Sequence, residues 1–248
     1  MIEVDRLTRN YNSFTAVKGL SFHVEPGEVL GLVGPNGAGK TTTLRCIVGI
    51  IPPTFGDVRI DGVSILMNPI PAKRAVAFMP DEPRLFEHLT VREHLQFTAR
   101  VYGVRDFEEK MQALLEELEL GDQRDSLPNE LSRGMKQKLV IACGLLHSPA
   151  NLIFDEPLTG LDPLGIRRMK TTILNRARAG ASVIVSSHLL HMVEEICDRI
   201  LILKEGRKII HGTLQEISGS LSDLRGDLNL EEIFLHVTGP TTGEGLGQ

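Results

Sequence analysis

The eight residues Gly34-Pro-Asn-Gly-Ala-Gly-Lys40-Thr41 constrain this chain more than any other stretch. They match GxxxxGK[ST] and lie between VLGLV, which reads as an apolar strand, and TTLRCIVGI, which reads as a helix. A strand that runs through glycines into a helix is the context in which the pattern carries chemistry. Glycines let backbone amides converge on phosphate oxygens, and the helix N-terminus adds a favourable field. Lys40 is suited to neutralise the β- and γ-phosphates and Thr41 to offer its hydroxyl to Mg²⁺. Pro35, Asn36, Gly37, Ala38, Gly39 and Thr42 complete the loop. From average composition the bare pattern arises by chance in roughly 1% of chains this long. With its strand and helix in place it predicts nucleotide binding.

Phosphoryl transfer also needs a carboxylate to hold the metal and a group to orient water. Asp155 ends the apolar run LIF and suits the first role through Mg²⁺-bound water. Glu156, next in line, is placed to act as general base. A strand-ending Asp-Glu can also do no more than cap the next helix. No NKxD element is present, which weighs against a guanine nucleotide.

The rest of the chain reads as an α/β domain interrupted by helices. Residues 1–33 read as short strands with turns, EPGE dividing FHV from VLGLV, and GDVRIDG as a further strand between glycine turns. From about 85 to 150 the period becomes helical. Thr90 and Glu93 form a capping-box pattern ahead of Leu95 and Ala99. Asp106 and Glu109 repeat it before the stripe Met111, Leu114, Leu115 and Leu118. NLIFDE and SVIVSSH read as buried parallel strands with polar C-terminal ends, and a helix is expected between them. ILILKEGRKIIHG reads as a hairpin turning at Glu205-Gly206, and residues 239–248 as a disordered tail.

With 248 residues and a net charge of −5, the chain does not suit a nucleic-acid binder relying on a basic surface. Cys46, Cys143 and Cys197 show no pairing rhythm, as expected of reduced thiols in the cytoplasm. MIEVDRLTRNY lacks the pattern of a signal peptide, and no run reaches the roughly 20 apolar residues of a membrane span. A membrane role therefore requires a partner.

In this order the motifs resemble those of the nucleotide-binding subunits of ATP-binding-cassette (ABC) transporters, over residues 2–238. Residues 34–42 match that family's Walker A loop and the strand ending Asp155-Glu156 its Walker B. LTGLD (158–162) matches the D-loop, Ser187-His188 the switch histidine and LEEIFLHVTG the closing segment. The resemblance implies a P-loop NTPase (RecA-like) core with an antiparallel β subdomain and a helical subdomain inserted at about 85–150. It implies ATP and Mg²⁺ as ligands, Tyr11 stacked on adenine with Val17 packed nearby, and His188 hydrogen-bonded to the γ-phosphate. His188 and His191 lie one helical turn apart, but with no third ligand they do not read as a zinc site.

LSRGM (131–135) matches the family's signature, usually LSGGQ, at the start of a helix in the inserted subdomain. In the family two such domains face each other head to tail, each ATP lying between one Walker A and the other's signature. Ser132 and the Gly134 amide would then contact an ATP held mainly by a second copy or a related subunit. The plainer alternative is an ordinary helix with Ser132 as N-cap. Two departures stand out. Arg133 and Met135 replace a glycine and a glutamine, and Asp81 occupies the position of the Q-loop glutamine that senses Mg²⁺ and links the core to the helical subdomain. A carboxylate is a legitimate Mg²⁺ ligand, but it adds negative charge beside a polyanion.

The resemblance implies an ATPase peripheral to the inner face of the cell membrane, driving a separate polytopic permease that docks near Pro83 to Tyr102. Leu85 and Phe86 are the candidates there for exposed contact residues, the alternative being that both belong to the core. Arg133, Met135 and the PDEP stretch are similar to subunits paired with exporter-type permeases. Two rivals remain open. A soluble ABC-type ATPase doing mechanical work on DNA or ribosomes usually has a coiled-coil insertion or tandem cassettes, and this chain has neither. A nucleotide-gated module that does not turn over is opposed by the set Asp155, Glu156 and His188.

Overall fold

The computed structural model describes residues 1–220 and 228–239. The expected disorder of the tail from residue 240 lies outside the described residues. The chain opens with β1 (Ile2–Tyr11), β2 (Phe14–Val24) and β3 (Val29–Val33), followed by α1 (Lys40–Ile47), β4 (Phe55–Ile60), β5 (Val63–Ser64), α2 (Pro69–Arg74) and β6 (Val76–Met79). The middle is helical: α3 (Val91–Tyr102), α4 (Phe107–Glu117) and α5 (Arg133–Leu145). Then come β7 (Asn151–Asp155), α6 (Pro163–Arg178), β8 (Ser182–Ser186), α7 (Leu190–Ile196), β9 (Arg199–Lys204), β10 (Arg207–Gly212), α8 (Leu214–Ser220) and α9 (Leu230–Thr238).

Two sheets result. β2-β1-β4-β5 is antiparallel, and β10-β9-β3-β8-β7-β6 is parallel apart from the edge strand β10. β1 and β2 span 10 and 11 residues, so they are longer than the short strands expected. The register of β1 slips between Val4 and Leu7, where Arg6 takes a φ of 47°. That irregularity moves the buried set from Ile2 and Val4 to Leu7, which disguises one strand as two fragments. β3, β7 and β8 are buried at every position, as strands covered on both faces require. Their C-terminal ends lie together, Leu32 and Asp155 each paired in register with Ser186. In open parallel sheets that edge is where ligands bind.

The capping box at α3 forms: Glu93 N–H donates to Thr90 Oγ1 at 3.2 Å, and Thr90 N–H to Glu93 Oε2 at 2.8 Å. The matching box expected at α4 does not form. Asp106 sits at φ 55° and makes no side-chain cap, because its left-handed backbone aims the carboxylate away from the first turn. Expected spacing alone did not reveal that conformation. The helices share their core with the parallel sheet, Leu95, Met111, Leu115 and Leu139 joining one buried cluster with Phe154, Val185 and Ile173. Glu117 of α4 fastens them to α6, accepting from Thr172 Oγ1 at 2.9 Å and Arg176 at 2.6 Å. The β9–β10 hairpin turns at Glu205 and Gly206, with φ of 50° and 77°, the left-handed pair a two-residue hairpin turn favours. All three cysteines are free, and burial raises the Cys46 and Cys143 thiols to about 11.

Candidate active site

The loop from Gly34 to Gly39 is shaped by contacts with two neighbouring strands. Gly206 N–H donates to Ala38 O at 3.0 Å, and Lys18 N–H donates to Gly206 O at 2.8 Å, so β2 and the β9–β10 turn hold the loop from outside. Gly39 has a φ of 101° and approaches Ala16 so closely that a Cβ would lie 2.5 Å from its carbonyl oxygen. A side chain there would break both the conformation and the contact. From this bend α1 starts at Lys40, its N-terminus facing a cleft of about 480 Å³.

Asn36 to Thr42 line that cleft together with Tyr11, Asp81, Asp155, Glu156 and His188. Residues separated by up to 177 positions in sequence therefore meet around one cavity. Gly34 and Pro35 stand behind it, their carbonyls accepting from Lys40 Nζ at 2.6 and 3.4 Å. Burial lowers the Lys40 pKa, while the charges of Glu156 and Asp155 oppose that shift. The ammonium is thus held by the loop's own carbonyls beside two carboxylates.

Asp155 ends β7 and its Oδ1 accepts from Ser186 Oγ at 2.5 Å, which sets the carboxylate's direction from the adjoining strand. Ser186 is a positioning group that the sequence motifs do not mark. Glu156 follows with φ 52°, a left-handed backbone that is uncommon for a glutamate and turns its side chain into the cleft. Its Oε2 lies 2.8 Å from His188 Nδ1 and accepts from His188 N–H at 3.3 Å. The contact is a carboxylate–imidazole pair spanning the ends of β7 and β8.

Thr41, Asp81 and Asp155 share the cleft, as a Mg²⁺ role for them requires. Among the described residues no group of three His, Cys, Asp or Glu side chains could hold a metal unaided.

Val17 is fully buried in the core and does not itself line the cleft; Ala16 and Phe14 do. Alternation along β2 puts neighbouring residues on opposite faces, so the cleft takes Ala16. Phe14, 62% exposed and paired in register with Tyr11, is a second aromatic at the cleft that no sequence motif marks. The Tyr11 ring has the Arg9 guanidinium 4.6 Å from its centroid. Thr159 of LTGLD also reaches the cleft.

Ser132 and Gly134 do not line this cleft. Ser132 is the exposed N-cap of α5, accepting from Met135 N–H at 3.2 Å. Gly134 packs against LTGLD, where a Cβ would come 3.2 Å from Gly160 O. A second cavity, about 420 Å³, lies on the helical side and is lined by Phe78, Leu85, Phe86, Phe97, Tyr102 and His147 among others. Phe86 is 55% exposed, while Leu85 is half-buried against the core, so the two expected contact residues divide between surface and interior. Among the described residues no helix is long and apolar enough to cross a membrane.

Comparison with known proteins agrees with this geometry. The family profile described as ABC transporter matches residues 17–159. The ABC-type transporter ATP-binding protein EcsA of Bacillus subtilis (strain 168) is 36% identical over 245 residues, covering 98% of each chain. The Nod factor export ATP-binding protein I of Paraburkholderia xenovorans (strain LB400) is 39% identical over 213 residues, 85% of this chain and 70% of that one. A solved structure of an ATP-binding subunit of an ABC transporter superposes with a TM-score of 0.91 at 36% identity, covering 96% of this chain and 99% of the other. A phosphate loop, an Asp-Glu strand end and a histidine around one cleft, in a chain related to these over almost its whole length, have one reading: the chain belongs to the ABC transporter family, as an ATP-binding and ATP-hydrolysing subunit.

Proposed function

We propose that Glu156 is the general base of ATP hydrolysis in this subunit and that His188 positions it. The observation that carries this reading is the 2.8 Å contact between His188 Nδ1 and Glu156 Oε2 at the rim of the phosphate-loop cleft. Oε2 is held by the histidine, while Oε1 has no hydrogen bond among the described residues, leaving it to take a proton from water. With Nδ1–H given to Glu156, the ring donates to a phosphate through Nε2 only when both nitrogens carry hydrogens. Lys40 and the amides from Asn36 to Thr42 bind the phosphates. Thr41, Asp155 and Asp81 would hold Mg²⁺, which would neutralise phosphate charge. Tyr11 stacks on the adenine.

Two subunits, identical or related, close head to tail over ATP. Ser132 and the Gly134 amide of each reach the γ-phosphate held by the other, which their position outside their own cleft supports. The cavity flanked by Phe86 and Phe97, 55% and 49% exposed, receives a separate polytopic permease. The relative named for Nod factor export supports an exporter-type permease. The subunit then sits at the inner face of the cell membrane through that partner, with no role for nucleic acid.

The test uses Glu156→Gln as bait in native membranes solubilised with ATP and Mg²⁺. Turnover should fall by about 10²–10⁴-fold while ATP binding is retained. A polytopic membrane protein should co-purify in stoichiometric amount. Parent-like turnover would refute the general-base assignment, and a purely soluble catch, ribosomal or DNA-bound, would overturn the permease.

A further inference from the structure

Two residues singled out in the sequence, Asp81 and Arg133, touch each other. Asp81 Oδ1 accepts from an Arg133 guanidinium nitrogen at 3.3 Å. Neither residue needs the other for folding, since their side chains are 42% and 60% exposed. Asp81 lines the nucleotide cleft, whereas Arg133 is the first residue of α5, beside Ser132. A cation at a helix N-terminus opposes the helix dipole, and the first turn of α5 contains no acidic residue to offset it. The compensating carboxylate comes from Asp81, 52 residues earlier. The loop before it is fastened to the same helix, because Gln137 Nε2 donates to Pro80 O at 3.0 Å. The Arg133 side chain also lies along LTGLD, with its Cδ 3.5 Å from where a Cβ of Gly160 would be.

We propose that Asp81 and Arg133 form a charge latch in which Asp81 competes, within its own subunit, for an arginine that otherwise binds the phosphate of the ATP held by the partner. This rests on the head-to-tail arrangement proposed above. Arg133 stands between Ser132 and Gly134, and a guanidinium there offers a phosphate the paired donors that the family's glycine cannot. Held by Asp81, it is withheld from the seam. From the cleft side the same Asp81 carboxylate would be available to a Mg²⁺ bound with nucleotide. Occupancy of a subunit's own site thereby frees its arginine for its partner's site.

The latch predicts the sign of a coupling. In full-length protein carrying Glu156→Gln, dimerisation driven by ATP in EDTA, where no Mg²⁺ competes for Asp81, is measured by sedimentation for Arg133→Gly, Asp81→Gln and the double variant. If Asp81 sequesters the arginine, Arg133→Gly weakens dimerisation more in the Asp81→Gln background than beside native Asp81, by about threefold or more, the range of an exposed ion pair. Asp81→Asn, closer in shape, should reproduce this. Equal costs in both backgrounds, or a smaller cost without Asp81, overturn the latch while leaving the dimer intact. If Glu156→Gln alone does not dimerise with ATP, the head-to-tail reading fails, and the latch with it.

Discussion

Three glycines of the phosphate loop look alike in sequence, yet the structure ranks what an alanine would cost at each. At Gly37 the φ is 79° and nothing lies within 4 Å of the added Cβ, so only the left-handed backbone resists, at about 1 kcal/mol. At Gly34 the backbone tolerates a side chain, but a Cβ would sit 2.4 Å from Leu203 O and 2.9 Å from Ala38 Cβ. Neither atom is the end of a flexible side chain, and overpacking of this kind costs about 1–3 kcal/mol. Gly39 combines both penalties, with φ 101° and Ala16 O at 2.5 Å, for a total of about 2–4 kcal/mol. In a chain this long each kcal/mol lowers Tm by about 2–4 °C. Gly37→Ala should therefore cost about 2–4 °C and Gly39→Ala roughly 4–16 °C, with Gly34→Ala between. Thermal unfolding without nucleotide reads the ranking, and titration with a fluorescent ATP analogue reads the consequence. Affinity should fall most at Gly39, whose bend starts α1. Equal shifts at Gly37 and Gly39 would show that β2 yields to the added methyl, and the rigid clamp inferred from the Ala16 and Gly206 contacts would be wrong.

Two further outcomes follow from groups outside the cleft. Glu117→Ala leaves Thr172 and Arg176 unpartnered where α4 meets α6, and should cost about 1–2 kcal/mol in urea unfolding, discounted because the Arg176 pair is about a third exposed; an unchanged midpoint would mean the contact contributes nothing to joining the helices to the sheet. Burial lowers His147 and His211 to about 4, from an ordinary 6.5. The unfolded chain binds those protons at higher pH than the folded one, so stability is fully present above about pH 6.5 and declines as pH falls towards 4. Unfolding midpoints at pH 7 and pH 5 check this, and His147→Gln should remove part of the decline.

The site was more legible in the sequence than the packing that positions it. Lys40, Thr41, Asp155, Glu156 and His188 are marked because phosphate chemistry demands those residue types at strand ends and helix starts, whatever surrounds them. Ser186, which orients Asp155, and Phe14, which shares the cleft with Tyr11, carry no such mark; their roles arise from cross-strand register. Face alternation along β2 likewise puts Ala16 at the cleft and its neighbour Val17 in the core. The failed cap at Asp106 and the slip in β1 at Arg6 both turn on a single left-handed residue. Neither is glycine, so composition gave no warning.

One element connects the chemistry to the surface proposed for the permease. α5 begins at Arg133 beside the Ser132 cap, while Val140, Cys143 and Gly144, together with His147 just beyond its end, line the second cavity. Thirteen helical residues span roughly 20 Å. Leu139, Ile141, Ala142 and Leu145 are buried along its length, and Gly144 lets Met79 approach so closely that a Cβ would meet its sulfur at 2.6 Å. A helix packed in this way moves as a body rather than bending, because deformation would have to open those contacts. Its second turn is tied to the segment beside the cleft through Gln137–Pro80, a bond that does not depend on the Arg133–Asp81 latch, so rearrangement of the Pro80-Asp81 segment would carry the whole helix with it. No relay of side chains is then needed between the cleft and the surface proposed above for the permease. Under that proposal, Pro80 and Asp81 are where movement at the cleft would enter α5.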